Sequence, residues 1–148
     1  MPTRVTAQEP WTVARCQALV LDTNILVAAA FNPHSNSGML VDAVREGRLR
    51  MIWNEATRAE AEYILRRIPR LSWDEFASLF RESDRFDGKV SSEDQFDHVG
   101  DPADRKFAAL ADAANVLLVT NDAGLLESLE RTRVRALRPG EFMRDCRR

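Results

Sequence analysis

The sequence has few cysteines, no long hydrophobic run and little surplus charge. Its two cysteines, Cys16 and Cys146, lie near opposite ends of the 148 residues without CxxC spacing, so neither a zinc site nor a disulfide framework is predicted. No apolar run approaches the roughly 20 residues that span a bilayer. Residues 1–16 also lack the continuous apolar core of a secretory signal. We therefore expect a cytoplasmic protein with no membrane partner.

Charge is balanced overall but uneven along the chain. The net charge of -2 argues against a protein coated in positive charge for nucleic acid. The last eighteen residues nevertheless carry seven arginines against two acids, and we expect this end to be able to contact phosphates. For any single arginine, a solvated surface position is the simpler interpretation. The seven are Arg131, Arg133, Arg135, Arg138, Arg144, Arg147 and Arg148.

Length and composition predict one domain. A chain of 148 residues that is 45% hydrophobic and 30% charged can bury one substantial core but not two. We divide it into a flexible lead-in, residues 1–16, and a domain, residues 17–148. Strand and helix signals alternate along the domain, which is typical of a parallel sheet with helices on both faces. Helices are predicted at residues 23–31, 36–46, 55–67, 72–84, 102–114, 123–129 and 139–147, and strands at 18–21, 49–53, 116–119 and 134–137, with a brief strand near Val90.

Two apolar runs, residues 18–21 and 116–119, each precede an acidic turn. Both are too short for helices and too continuous for strands with one wet face, so they are predicted to be buried strands. Asp22 follows the first directly, and Asp122 follows the second by three residues. If the strands are adjacent and parallel, their ends lie roughly 5 Å apart. The local alternative is that each aspartate simply caps the following helix.

Further acids lie on two predicted helices. Glu62 has Arg58 and Arg66 at four-residue spacing, which indicates an ordinary surface acid. Glu60 has Ala56 and Ile64 at those offsets and no local partner, which is costly for a carboxylate near an apolar face unless it is neutralised or binds a cation. Its simpler interpretation is a hydrated acid at the edge of the apolar stripe.

The segment Asp101-Pro102-Ala103-Asp104 begins another helix. Asp101 as N-cap, Pro102 in the first turn and Asp104 near the positive helix end form a sound start signal, which explains both acids without a metal. If they instead converge with the strand-end aspartates, the carboxylates would repel and take up protons. Magnesium or manganese, which prefer oxygen ligands, would resolve that conflict.

Four motifs in this order resemble a PIN domain, close to the single-domain bacterial VapC-like toxins of toxin-antitoxin pairs. They are Leu21-Asp22-Thr23-Asn24, residues 54–65 with Glu60, residues 101–107, and residues 119–126. The resemblance covers residues 18–137 and implies a three-layer α/β/α sandwich that cleaves RNA with Mg²⁺ or Mn²⁺. By position it implies Asp22, Glu60, Asp104 and Asp122 as catalytic metal-holding acids, Asp101 as an auxiliary metal ligand, and Asn24 and Thr120 as supporting groups. It also suggests a cognate antitoxin as partner. The aromatic face of residues 72–84 makes a homodimer plausible.

Two departures and two alternatives remain. Related sequences often have glycine at the position of Asn121 and a further acid at that of Gly124, so the number of metal ions stays open. A phosphatase of the haloacid dehalogenase type also begins with an apolar strand and an aspartate, but it requires an acid two residues later, where Asn24 stands. A non-catalytic PIN-like binding module is the other alternative.

Overall fold

The computed structural model describes residues 16–90 and 93–146. Seven helices and four strands are found in these ranges. In chain order they are β1 (Ala18–Leu21), α1 (Thr23–Phe31), α2 (Asn36–Arg45), β2 (Arg50–Met51), α3 (Glu55–Leu65), α4 (Asp74–Ala77), α5 (Pro102–Ala114), β3 (Leu117–Val119), α6 (Ala123–Leu129), β4 (Ala136–Leu137) and α7 (Pro139–Cys146), with 3-10 turns at Glu82–Asp84 and Glu93–Phe96.

The strands form one parallel sheet in the order β2-β1-β3-β4. The two apolar strands β1 and β3 are therefore adjacent at its centre, with Leu21 paired to Val119. This confirms the predicted parallel sheet and brings the ends of these strands to one edge. Asp22 and Thr120 are the first residues beyond that pair.

Side chains of the central strands alternate between two cores, one on each face of the sheet. Leu19 and Leu21 pack with α1, α2 and α7, whereas Val20 and Leu118 pack with α5 and α6. All four are at most 4% exposed, and burying each contributes roughly 1.5–3 kcal/mol. The helices thus cover both faces, which confirms the predicted three-layer α/β/α sandwich.

Most helix boundaries follow from local capping. Asn54 and Thr57 form a reciprocal capping box at the start of α3, where each side chain accepts the other's backbone N–H. Gly47 follows α2 with φ +81°, a conformation that glycine adopts without strain. These boundaries match the prediction to within about two residues.

The helix predicted at residues 72–84 is wrong. Only Asp74–Ala77 is α-helical, and the chain is extended at Arg81. Tertiary contacts override the helical periodicity there: the Arg81 guanidinium donates to the carbonyls of Val44 and Arg45 at 2.6 and 2.8 Å, and the Trp53 indole donates to the Arg81 carbonyl at 2.6 Å. The brief strand near Val90 is absent from the described residues as well.

The cysteine prediction is also wrong. Cys16 and Cys146 form a disulfide across a sequence separation of 130. Both are buried in the same core, Cys146 as the last residue of α7. Cys16 is the last residue of the predicted lead-in; residues 1–15 lie outside the described ranges. Within those ranges, no helix is long and apolar enough to cross a membrane.

Candidate active site

Asp22 and Asp122 are joined through Thr120 at the carboxyl edge of the sheet. The backbone N–H of Asp22 donates to the Val119 carbonyl, which holds the aspartate against β3. The Thr120 hydroxyl donates to Asp22 Oδ2 at 2.7 Å and accepts the backbone N–H of Asp122 at 3.0 Å. Asp122 Oδ1 caps α6 by accepting the Leu125 N–H at 3.1 Å. The predicted capping role of Asp122 is thus confirmed, and its other carboxylate oxygen makes no hydrogen bond to a described residue.

Asp22 is a buried acid whose environment disfavours its charge. It is 4% exposed, and burial raises the pKa of its carboxyl group above the ordinary value, with a further contribution from the charge of Asp122. The hydrogen bond from Thr120 opposes that rise. Next to it, the buried hydroxyl of Thr23 has no hydrogen-bond partner among the described residues. Asp22 is the N-cap residue of α1 without a side-chain capping hydrogen bond of full geometry, but the backbone N–H groups of Asn24 and Thr23 also oppose the rise in its pKa. The local explanation therefore accounts for part of its environment.

Asp101 and Asp104 begin α5 but have different roles there. Asp101 is the N-cap, and its carboxylate accepts the Ala103 N–H at 3.0 Å. The carboxylate of Asp104 accepts no hydrogen bond from a described residue, so it does not complete the predicted capping arrangement. Burial is the main cause that raises the pKa of Asp104 to about 7. The charges of four other carboxyl groups add to it, in decreasing order Asp22, Asp101, Asp122 and Glu60.

Glu60, on α3, lies near the acidic cluster formed by Asp22, Asp101, Asp104 and Asp122. It has a partner that the sequence did not reveal. Its Oε1 atom forms a 3.1 Å ion pair with Lys106 Nζ on α5. Both side chains are largely buried, at 16% and 25% exposure. Glu62 pairs instead with Arg58 and Arg66, which confirms it as a surface acid.

The donor set suits a hard divalent cation, although the side chains are not yet arranged around one. Asp22, Asp104 and Asp122 offer only carboxylate oxygens, the ligands that magnesium and manganese prefer. Burial, followed by the charges of neighbouring carboxyl groups, raises the pKa values of Asp22 and Asp104. Their negative charges are therefore not compensated by a positive group of the described residues at this edge. No group of three or more acidic, histidine or cysteine side chains in the described ranges is close enough to form a ready binding set. Ligation by Glu60 would also require it to leave Lys106.

Asn121 connects the acidic cluster to Asn24, Ser37 and Arg138, of which the sequence analysis did not indicate Ser37. Its backbone N–H donates to Asn24 Oδ1 at 3.3 Å, its side-chain amide donates to Ser37 Oγ at 3.2 Å, and its carbonyl accepts Arg138 Nη1 at 3.3 Å. Asn24 therefore supports the loop that carries Asp122. Arg138, one of the arginines that the sequence analysis named, directly follows β4, and that position brings it to this edge of the sheet.

The structure separates the C-terminal arginines into two groups. Arg133 and Arg135 lie with Asn115 and Val116 at the amino end of β3, the edge opposite the acidic cluster. Arg133 is held there by a 2.6 Å ion pair with Asp112. Arg138, by contrast, follows β4 at the edge that carries Asp22. Of these three arginines, Arg138 alone lies at the edge of the acidic cluster, and Arg147 and Arg148 lie outside the described residues.

A parallel α/β sandwich with coupled acidic groups beyond its two central strands defines the class of this protein. Within that class the chain belongs to the PIN domain family, whose model matches residues 18–124. PIN domains are generally nucleases and typically use divalent metal ions. Family membership sets aside the haloacid dehalogenase alternative.

Comparison with solved structures supports the same fold. The crystal structure of PAE2754 from Pyrobaculum aerophilum is similar to this chain with a TM-score of 0.52 and 18% sequence identity. The likeness covers 90% of this chain and 96% of that one, and at this identity it concerns the fold alone. No curated protein matches the sequence.

Proposed function

We propose that the protein is an endoribonuclease that hydrolyses RNA phosphodiester bonds with Mg²⁺ or Mn²⁺. The observation that carries this proposal is the arrangement of Asp22 and Asp122 around Thr120 at the ends of the two central strands. Asp104 lies close enough for their charges to act on it, and burial is the main cause that raises its pKa to about 7. A cluster that binds protons near neutral pH can exchange them for a cation. In a PIN domain, a cluster of this kind at the carboxyl edge of the sheet is where catalysis is expected.

Asp22, Asp104 and Asp122 would hold the ion, with Asp101 as an auxiliary ligand and Glu60 joining after its release from Lys106. When bound, a divalent ion activates a water molecule for attack on the phosphorus and stabilises the charge that develops on the leaving oxygen. The family resemblance also assigns Asp22, Glu60, Asp104 and Asp122 as catalytic acids. This agreement supports their assignment as catalytic residues.

The chain's own groups prepare this chemistry. The Thr120 hydroxyl fixes one Asp22 oxygen by its 2.7 Å hydrogen bond, so the orientation of this buried acid does not depend on solvent. The Asp122 carboxylate is fixed through the Leu125 N–H in the same way. Without a cation, burial and the neighbouring carboxyl groups favour the protonated form of Asp104, because they raise its pKa to about 7.

The proposal extends to a toxin role in the cytoplasm with a cognate antitoxin. It rests on the VapC-like motif order, and co-expression with the product of a neighbouring small reading frame is its test: that product should relieve growth arrest. The Cys16–Cys146 bond argues the other way, because disulfides are rare in the cytosol. A homodimer stays a prediction, although Trp73 and Phe76, which suggested it, are buried in the core.

Replacing Asp22 with asparagine tests the nuclease assignment. We expect Asp22→Asn to lower the rate of RNA cleavage in magnesium by at least about 100-fold, since loss of a charged catalytic group is worth several kcal/mol. Asp74→Asn is the matched control, because Asp74 is exposed at the start of α4. Equal cleavage by wild type and Asp22→Asn would refute the assignment.

Calorimetry with manganese separates the nuclease from a binding-only PIN-like module. A nuclease site should take up manganese with an affinity that falls in Asp104→Asn and in Glu60→Gln. Uptake that is absent, or that ignores both substitutions, would favour the binding module.

A further inference from the structure

An open groove of about 830 Å³ lies beside the acidic cluster. Its walls come from the end of α1, the start of α2, the loop after β3 and the start of α7. The side chains that matter for its chemistry are Asn32, Asn36, Asn121, Arg138 and Arg144. None of these residues is among the predicted metal ligands.

The groove and the acidic cluster share a wall. Asn121 lines the groove and is also the residue between Thr120 and Asp122. Its backbone contacts with Asn24 and Arg138 and its side-chain bond to Ser37 hold that wall in place. A polymer bound across the acidic cluster would therefore enter the groove without having to cross another element of the fold.

The groove offers unsatisfied donors and a net positive charge. Arg138 uses Nη1 for Asn121, but its other guanidinium nitrogens donate to no described residue. The Arg144 side chain is 73% exposed, and among the described residues it pairs with its neighbour Asp145 alone, at 3.5 Å. The one acid in the lining, Glu141, already accepts the backbone N–H of Arg138 at 2.9 Å. The side chain of Asn36 has no hydrogen-bond partner in the described ranges.

We infer that this groove binds the RNA strand next to the scissile phosphate, with Arg138 and Arg144 each on a phosphate of a flanking nucleotide. The inference rests on the proposed function and names the strand path for the same site. Arginines match phosphate oxygens in geometry and charge, and free amides suit the hydroxyls and base edges of single-stranded RNA. An acidic protein segment is less well matched, because the lining has few large apolar side chains to anchor it.

The main experiment removes the two positive charges. Arg138→Ala/Arg144→Ala is compared with Arg131→Ala/Arg135→Ala, which removes two exposed arginines outside the groove lining. Binding of a labelled twelve-nucleotide single-stranded RNA is followed by anisotropy in magnesium over a range of salt concentrations. The binding assays are done in an Asp22→Asn background, so that RNA is not consumed.

We expect Arg138→Ala/Arg144→Ala to weaken RNA binding roughly tenfold, because charge-assisted hydrogen bonds to phosphate are lost. The slope of log affinity against log salt should decrease by about 1.4, because each lost single-strand contact removes about 0.7. In the cleavage assay with Asp22 intact, Arg144→Ala should raise KM while kcat stays near its wild-type value, because among the described residues Arg144 pairs with Asp145 and makes no hydrogen bond to the loop that carries Asp122. Arg138→Lys/Arg144→Lys should recover most of the slope.

A second variant tests the groove by shape alone. A Cβ atom at Gly140 would lie 3.2 Å from the Asn36 amide nitrogen, so Gly140→Leu should obstruct the groove without changing charge and should weaken RNA binding.

Arg144→Ala alone keeps the test decisive if the double variant fails to fold, because Arg144 makes no structural hydrogen bond in the described ranges.

Each other outcome overturns the inference. RNA binding that is unchanged, or that falls equally in the control pair, would show that the groove is not the strand path. Loss of binding to a ten-residue oligoglutamate peptide, with RNA binding retained, would assign the groove to an acidic protein partner instead. Failure of the proposed function is distinguishable, because it would appear as Asp22→Asn cleaving at the wild-type rate whatever the groove variants do.

Discussion

Replacing Asp104 with asparagine should stabilise the metal-free protein at alkaline pH. Its pKa rises from 3.8 to about 7 on folding, so between these values the folded state holds a proton that the unfolded state has lost. The free energy of unfolding therefore falls as pH rises through this window and levels off above about pH 7. Asparagine has nearly the same shape and no charge, so Asp104→Asn removes this penalty.

The magnitude follows from the shift after allowance for solvent. The rise of the Asp104 pKa from 3.8 to about 7 corresponds to a loss of at most about 4 kcal/mol in the free energy of unfolding. Asp104 is only partly buried, so screening reduces the expected gain to about 1–2 kcal/mol at pH 8. At pH 5 roughly a third of that should remain, because most of the titration window lies above this pH.

Urea denaturation in EDTA, followed by the fluorescence of the buried Trp53 and Trp73, measures the effect at both pH values. Asp74→Asn, an exposed acid, controls for the loss of one negative charge. Excess magnesium should reverse the order of stabilities, because a ligand stabilises the state that binds it. A variant that is no more stable than wild type at pH 8, or that gains equally at pH 5 and pH 8, would refute the reasoning.

Three further predictions concern single interactions. Lys106→Met frees Glu60, so it should lower stability in EDTA by about 1–2 kcal/mol and tighten manganese binding in calorimetry. Thr120→Val removes the hydroxyl that favours the Asp22 carboxylate, so the acid limb of the pH–rate profile should move to higher pH, with cleavage at pH 6 falling about tenfold. Cys16→Ser should lower the Tm in non-reducing buffer, since chain entropy alone gives roughly 5 kcal/mol for so long a loop; an unchanged Tm would argue against the bond.

The centre of the fold could be predicted because its signals are local. The apolar runs that became β1 and β3, the capping pair at Asn54 and the glycine after α2 each act within a few residues. Residues 72–84 could not be predicted in this way. Their helical periodicity was real, but hydrogen bonds from Arg81 to the end of α2, more than 30 residues away, stabilise another path.

The candidate site divides along the same line. The position of Asp22 and Asp122 follows from two adjacent parallel strands, and Asp104 from a recognisable helix start. The Glu60–Lys106 pair spans 46 residues and depends on the relative rotation of α3 and α5, which no local pattern encodes. The Cys16–Cys146 pair is separated still further, and its spacing carried no signal at all.

Electrostatic repulsion at the acidic cluster couples the binding of a cation to the binding of RNA in the proposed reaction. The charges of four carboxyl groups act on Asp104 at this edge, and among the described residues Lys106 is the one cation that pairs with any of the five acids. An RNA phosphate arriving there without a metal ion would be repelled over the roughly 8–10 Å that physiological salt leaves unscreened. The two arginines of the groove are too few to offset that repulsion. A cation held by these acids would therefore raise the affinity for RNA, and RNA would raise the affinity for the cation by the same factor. RNA affinity measured in EDTA should be weaker than in magnesium even when no bond is cut.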